Sequence, residues 1–237
     1  MPALLDVTDV RSGYGNVEVL HGVTVAVEAR ATVCVLGANG AGKTTLVNTV
    51  AGVLPPSSGR VILDGTDVTG LAPEHLAKRG LSLVRQGRSV FPYMTVQENL
   101  DVGAYLVRDR ARIAERLDLV FETFPVLKDR RRQFAGSMSG GEQKMLEIGR
   151  SLMLPLKLLI LDEPSLGLAP IVVDLIFECI GNMNRTGLAV LVVEQNAVCA
   201  LAAASYGYVL ELGRIRTSGP SDQLAADPAI RSAYLGI

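Results

Sequence analysis

An α/β fold carrying a helical lobe is expected from three features of the chain. The continuous apolar run Thr32-Val33-Cys34-Val35-Leu36 leads straight into a glycine loop and then a helical segment from Lys43 to Ala51, a strand–loop–helix unit. A second apolar run, Leu158 to Leu161, ends in two adjacent carboxylates, Asp162 and Glu163. Between the two, from about Thr95 to Phe134, the spacing of apolar residues changes to that of helices. We therefore expect a single domain over residues 1–237, with an α/β core made of residues 1–86 and 139–237, an antiparallel β subdomain at its N-terminal end, and an inserted α-helical lobe over about 87–138.

The elements follow in order. Val17 to Val27 is rich in valine and alternates in places, which suits antiparallel strands near the N-terminus. Gly52 to Gly59, with Pro55-Pro56-Ser57-Ser58 inside it, is a turn, followed by a strand from Arg60 to Leu63 and a short one from Leu81 to Val84. In the lobe, Leu100, Ala104, Leu106, Ile113, Leu117, Val120, Phe121 and Phe124 fall at helical spacings with charges between them. Ser139 caps a helix running to about Met153. Lys157 to Leu161 is a buried strand, Ile171 to Asn184 a helix, and Leu188 to Val193 another buried strand. From Gly213 onward a turn and two short helices are expected. No internal repeat or low-complexity linker interrupts this order.

With 49% apolar residues over 237, the chain can bury a substantial core. Lys+Arg 23 against Asp+Glu 24 leaves a formal charge of -1, so nothing advertises nucleic acid or an anionic membrane surface. Arg130-Arg131-Arg132 beside Lys128 and Asp129 reads as a solvated lobe surface. Cys34, Cys179 and Cys199 are far apart and odd in number, which suits reduced thiols in a cytosolic protein. His21 and His75 have no ligand-spaced neighbour. The start, Met1 to Asp6, has no basic segment followed by an apolar core, so no signal peptide is expected. The uncharged stretch Gln195 to Leu210 is interrupted by Asn196, Ser205 and Gly207 and falls short of the roughly 20 apolar residues a bilayer span requires.

The chemistry lies in the glycine loop. Gly37-Ala38-Asn39-Gly40-Ala41-Gly42-Lys43-Thr44-Thr45 fits G-x-x-x-x-G-K-[ST], the phosphate-binding P-loop, in the strand-to-helix setting that motif needs. Gly40 and Gly42 let backbone N–H groups wrap phosphates, Lys43 supplies positive charge to the β- and γ-phosphates, and the Thr44 hydroxyl suits Mg²⁺. Asp162, at the carboxyl end of its strand, is placed to hold the Mg²⁺ shell, and Glu163 to orient the attacking water or take its proton. ATP and Mg²⁺ are the expected cofactors. Ser139-Gly140-Gly141-Glu142 is a second Ser-led, Gly-rich helix start. Two glycines in a first helical turn weaken the helix, and backbone amides approaching the γ-phosphate of another chain's nucleotide would give them a reason.

At these residues, and over essentially its whole length, the chain resembles the ATP-binding cassette ATPases of ABC transporters. Met138-Ser139-Gly140-Gly141-Glu142-Gln143 resembles that family's Leu-Ser-Gly-Gly-Gln signature, with Met138 for the leading Leu. The resemblance implies that Tyr14 stacks on adenine, and that Gln86 touches Mg²⁺ and water and senses the γ-phosphate. It implies that Ser139, Gly140, Gly141 and Glu142 serve the nucleotide of a second cassette, in a homodimer when isolated and a heterodimer in a transporter. Two transmembrane permease subunits and, indirectly, a solute-binding receptor are the further implied partners, with no nucleic acid, and the implied place is cytoplasmic, peripheral on the inner face of the plasma membrane. The family's switch histidine aligns with Gln195, an amide that can donate a hydrogen bond but cannot titrate. The loop Ser165-Leu166-Gly167-Leu168 lacks the Asp usual after the catalytic glutamate. Pro164 to Pro170 and Glu194-Gln195-Asn196 look most like the cassettes of branched-chain amino acid importers, with urea or short-chain amide importers as the alternative and a soluble non-transport ABC ATPase as a further one.

Overall fold

The structure, a computed structural model, describes residues 3–87 and 89–235. β1 (Leu5–Tyr14) and β2 (Val17–Val27) open the chain as an antiparallel hairpin. β1 is not among the expected elements, and Val17 to Val27, expected to hold antiparallel strands, is a single strand whose partner is β1. The reason is local. Leu5, Val7 and Val10 are buried but do not keep a period of two, because the register shifts between Val7 and Val10, where Asp9 sits at φ 47. β3 (Thr32–Leu36) leads into α1 (Lys43–Val50), as expected. β4 (Ser58–Leu63) and β5 (Thr66–Asp67) complete a four-stranded sheet in the order β2-β1-β4-β5.

After α2 (Pro73–Lys78) and β6 (Leu81–Val84) come α3 (Val96–Gly103), α4 (Arg110–Thr123) and α5 (Pro125–Asp129), then α6 (Gly140–Leu152). β7 (Leu158–Asp162), α7 (Pro170–Arg185), β8 (Ala189–Glu194) and α8 (Ala197–Ala203) follow. The tail departs from expectation. A hairpin of β9 (Tyr206–Glu211) and β10 (Arg214–Pro220) turns at Leu212 and Gly213, and only then come the two short helices, α9 (Ser221–Ala226) and α10 (Pro228–Ile230). β10 alternates half-buried and exposed residues at the sheet's edge, too weak an apolar signal to read from sequence.

The second sheet has the order β10-β9-β3-β8-β7-β6 and is parallel from β9 to β6. Its central strands are buried on both faces, which explains their continuous apolar runs. Alternation divides them between two cores. Val33, Val35, Leu158, Ile160, Leu191 and Val193 pack toward α1 and the antiparallel sheet. Cys34, Leu36, Leu159, Leu161, Val190 and Val192 pack toward α6, α7 and α8. Leu100, Val120 and Leu127 of α3 to α5 join this second core through Leu146 and Ile148 of α6, so the helical segment shares the core of the sheet. Among the described residues no helix is long and apolar enough to cross a membrane.

Candidate nucleotide site

The site assembles at the carboxyl ends of β3, β7 and β8, where loops leave a parallel sheet. Gly42 caps α1 at φ 107, a conformation that disfavours any side chain, and α1 has neither a side-chain cap nor an acid in its first turn. Its first N–H groups and the positive end of its dipole are thus left for an anion. Asn39, Gly40 and Thr44 are exposed, which makes the cradle an open face. The loop is held from below: Gly37 N–H donates to the Glu194 carbonyl at 3.3 Å, and Gly213 N–H to the Ala41 carbonyl at 2.9 Å. Tyr14 ends β1 and is more than half exposed, as a stacking surface needs to be. Its strand is pinned to α1 by Thr49, whose hydroxyl lies 2.9 Å from Ser12 Oγ.

Lys43 and Glu163 meet. Lys43 Nζ lies 3.0 Å from Glu163 Oε1 and donates to the Gly37 carbonyl at 2.8 Å and the Ala38 carbonyl at 3.1 Å, with both side chains almost fully buried. Gln86 Nε2 donates to the other carboxylate oxygen of Glu163 at 3.0 Å. Glu163 itself sits at φ 47, held there by its N–H donating to the Val193 carbonyl at 2.8 Å. A non-glycine residue kept in the left-handed region costs on the order of 1–3 kcal/mol and is a frequent mark of a functional position. Asp162 is buried and its Oδ1 has no hydrogen-bond partner among the described residues. Burial, then the neighbouring Glu163 charge, pushes its carboxyl up to about 6, against the opposing pull of Lys43 and Thr44. An orphaned hard oxygen beside an exposed threonine hydroxyl fits a Mg²⁺ ion with a bound triphosphate.

Gln195 is exposed just past the end of β8. Ser139 is also exposed and caps α6: its hydroxyl accepts from Glu142 N–H at 3.3 Å, and Glu142 Oε2 accepts from Ser139 N–H at 2.9 Å. The other Glu142 oxygen pairs with Arg130 at 3.0 Å. Gly141 has a reason inside this chain, because a Cβ there would come within 2.4 Å of Val172 Cγ1 on α7. The need for small size at 141 is therefore met by helix packing, and contact with another chain's nucleotide is not required to explain it.

A family model described as "ABC transporter" matches residues 20–166. The chain is 45% identical over 233 residues, 98% of its length and 100% of the other's, to the high-affinity branched-chain amino acid transport ATP-binding protein BraG of Pseudomonas aeruginosa. The chain belongs to the ABC transporter family. It is 32% identical over 99% of its own length and of the other's to a protein of Archaeoglobus fulgidus designated "Probable branched-chain amino acid transport ATP-binding protein LivF". Its structure superposes with a TM-score of 0.89, at 27% identity and 100% coverage of both chains, on the ADP conformation of an ATP-binding cassette of an ABC transporter. The mixed α/β fold with an antiparallel sheet, a parallel sheet and a helical lobe is that of the ABC ATPase cassettes.

Some groups that build this cassette's site were not singled out from sequence. Lys144 of α6 is buried, paired with Glu147, and donates to the carbonyls of Gly87 at 2.8 Å and Arg85 at 3.4 Å. Glu147 also accepts from Ser89 N–H, and Arg150 donates to the Ser89 carbonyl at 2.8 Å while lying over the Phe91 ring. One helix thus carries Ser139 at its start and, along its side, the cations and carboxylate that fix both flanks of Gln86. The available signal was two charges three residues apart on an otherwise apolar helix face, which ordinarily reads as a surface pair.

Proposed function

We propose that this chain is the ATP-hydrolysing subunit of an importer for branched-chain amino acids. The observation that carries the hydrolysis is the meeting of Lys43 and Glu163 at 3.0 Å, which brings the cation of a phosphate loop and a carboxylate base to one point from two separate elements, and the 45% identity to BraG supports the solute.

The chemistry follows from the positions. Amides of the Gly40 to Thr45 loop and Lys43 bind the β- and γ-phosphates, so Lys43 must exchange part of its contact with Glu163 for phosphate oxygens. That exchange frees a Glu163 oxygen to take a proton from water as the water oxygen attacks the γ-phosphorus and ADP departs. Mg²⁺, held by Thr44, Asp162 and Gln86, would neutralise charge on the phosphate oxygens. The Gln195 amide donates to the γ-phosphate or to the attacking water without a titration of its own. Tyr14 stacks on the adenine. Ser139, Gly140, Gly141 and Glu142 approach the nucleotide of a second cassette, in a homodimer of the isolated chain or a heterodimer in the transporter. Closure is transmitted to two permease subunits through the lobe near Gln86, at the inner face of the plasma membrane, and these subunits receive solute from a receptor.

Deleting the gene in its own host and measuring uptake of labelled leucine, isoleucine and valine at low concentration tests the reading. Uptake should be lost, and a plasmid copy should restore it while a Lys43→Ala copy should not. Loss of urea or amide uptake with branched-chain uptake intact would move the substrate to those solutes.

A further inference from the structure

The carboxylate of Glu194 stands at the junction of three loops. The residue is 2% exposed. Oε1 accepts from the Ser165 N–H at 2.9 Å, in the loop that follows Glu163. Oε2 accepts from the N–H groups of Gln195 at 3.1 Å and Asn196 at 3.3 Å. The main-chain carbonyl of the same residue accepts from Gly37 N–H, the first residue of the phosphate loop.

We propose that Glu194 is a positioning residue that couples the loop after Glu163 to the loop bearing Gln195, each carboxylate oxygen holding one loop. Backbone N–H groups can only donate, and the three that converge here from two loops exceed the two lone pairs of a single oxygen, so holding them all from one buried point calls for a group with two acceptor oxygens. A carboxylate is the side chain that offers them, and an amide offers one. The carboxylate also acts in a low-dielectric setting, where its hydrogen bonds to amides are stronger than neutral ones. Movement of the Ser165 loop is thereby felt at Gln195, and the fixed Gly37 amide supplies the common floor. The inference rests on the ATPase reading of the site and adds to it the group that keeps two of its loops in register.

Glu194→Gln keeps the shape and offers a single acceptor, so one loop faces an NH₂ donor and is released. We expect kcat for Mg²⁺-ATP to fall about 10- to 100-fold, the scale of a misplacement on the order of 1 Å. ATP affinity by calorimetry should change less than about threefold, since the phosphate loop keeps its carbonyl anchor. Hydrogen exchange should rise selectively at 165–168 or 195–197 and stay unchanged at 37–45. Glu194→Asp keeps two acceptors and should recover part of kcat; it carries the same kcat-against-affinity test if Glu194→Gln does not fold. Wild-type kcat in Glu194→Gln would overturn the proposal, as would a parallel loss of kcat, ATP affinity and protection across the chain, which marks a general brace. A wild-type protein with no Mg²⁺-ATPase activity at all would instead sink the ATPase reading.

Discussion

The two glycine-led helix starts of this cassette, α1 and α6, are built on opposite plans. α1 begins at left-handed Gly42 with no side-chain cap and no acid in its first turn. α6 begins at Ser139 with both hydrogen bonds of a capping box in place and Glu142 in its first turn, itself paired with Arg130. An uncapped helix start leaves amides and a positive dipole end to attract an anion, whereas a capped one has satisfied part of that demand internally. The two plans imply a division of labour. α1, whose first residue is Lys43, leaves its first amides and that cation for an anion, whereas the first turn of α6 has part of its demand met by Ser139 and carries a negative charge of its own.

The largest test of this division separates holding from cleaving. Glu163→Gln preserves size and removes the base, so turnover should drop on the order of 10²- to 10⁴-fold while ATP still binds at α1. Sedimentation should then show ATP collecting the chain into dimers. Near wild-type turnover would place the base elsewhere. Lys43→Ala should act on the other term: ATP affinity by calorimetry should fall on the order of 10- to 100-fold, because one charge-assisted contact is lost while the amides of α1 remain. An unchanged affinity would mean that the α1 start does not hold phosphate.

Asp162 gives the α1 side a signature in stability. Its folded value of about 6 lies above the ordinary 3.8, so between those values the folded chain binds more protons than the unfolded one. The contribution of Asp162 to stability therefore falls as pH rises through the window from about 4 to about 6 and stays lower above it. Asp162→Asn should remove that slope and raise stability at pH 7.5 without added Mg²⁺ by about 1–2 kcal/mol, while abolishing Mg²⁺-dependent turnover. Urea titrations at pH 4.5 and 7.5 read the effect. A mutant less stable than wild type at pH 7.5 would show that Asp162 has a partner stronger than its desolvation.

The two helix starts also differ in how much of them could be read from sequence. The phosphate loop is contiguous in the chain, so its spacing carried Gly37 to Thr45 directly, and the apolar runs of β3, β7 and β8 announced strands buried on two faces. The segment of Ser139 to Glu142 was visible too, yet the packing of Gly141 against Val172 was not, because α7 lies far along the chain. The same holds for Glu194, whose Ser165 partner is 29 residues away, and for Lys144, whose Gly87 partner is 57 away. Contacts of this kind depend on which strands neighbour one another, and sequence periodicity does not encode that order. β1 escaped for a different reason, a bulge at Asp9 that breaks the alternation on which strand reading depends.

Glu142→Gln keeps an oxygen to accept from Ser139 N–H, so the capping geometry can survive, but it removes the negative charge from the first turn of α6 and the ion pair with Arg130. The lost dipole and ion-pair terms should cost about 0.5–1 kcal/mol of stability, read as a small drop in Tm. The same neutralisation makes the start of α6 more like that of α1, more attractive to a phosphate presented by another chain. In a Glu163→Gln background, where ATP is not consumed, ATP-dependent self-association measured by sedimentation should therefore tighten about two- to fivefold, since a charge near a helix terminus is worth only some tenths of a kcal/mol to 1 kcal/mol. Weaker association in the double mutant would mean that the Glu142 carboxylate helps to form the contact between cassettes, and the two helix starts would then differ in kind.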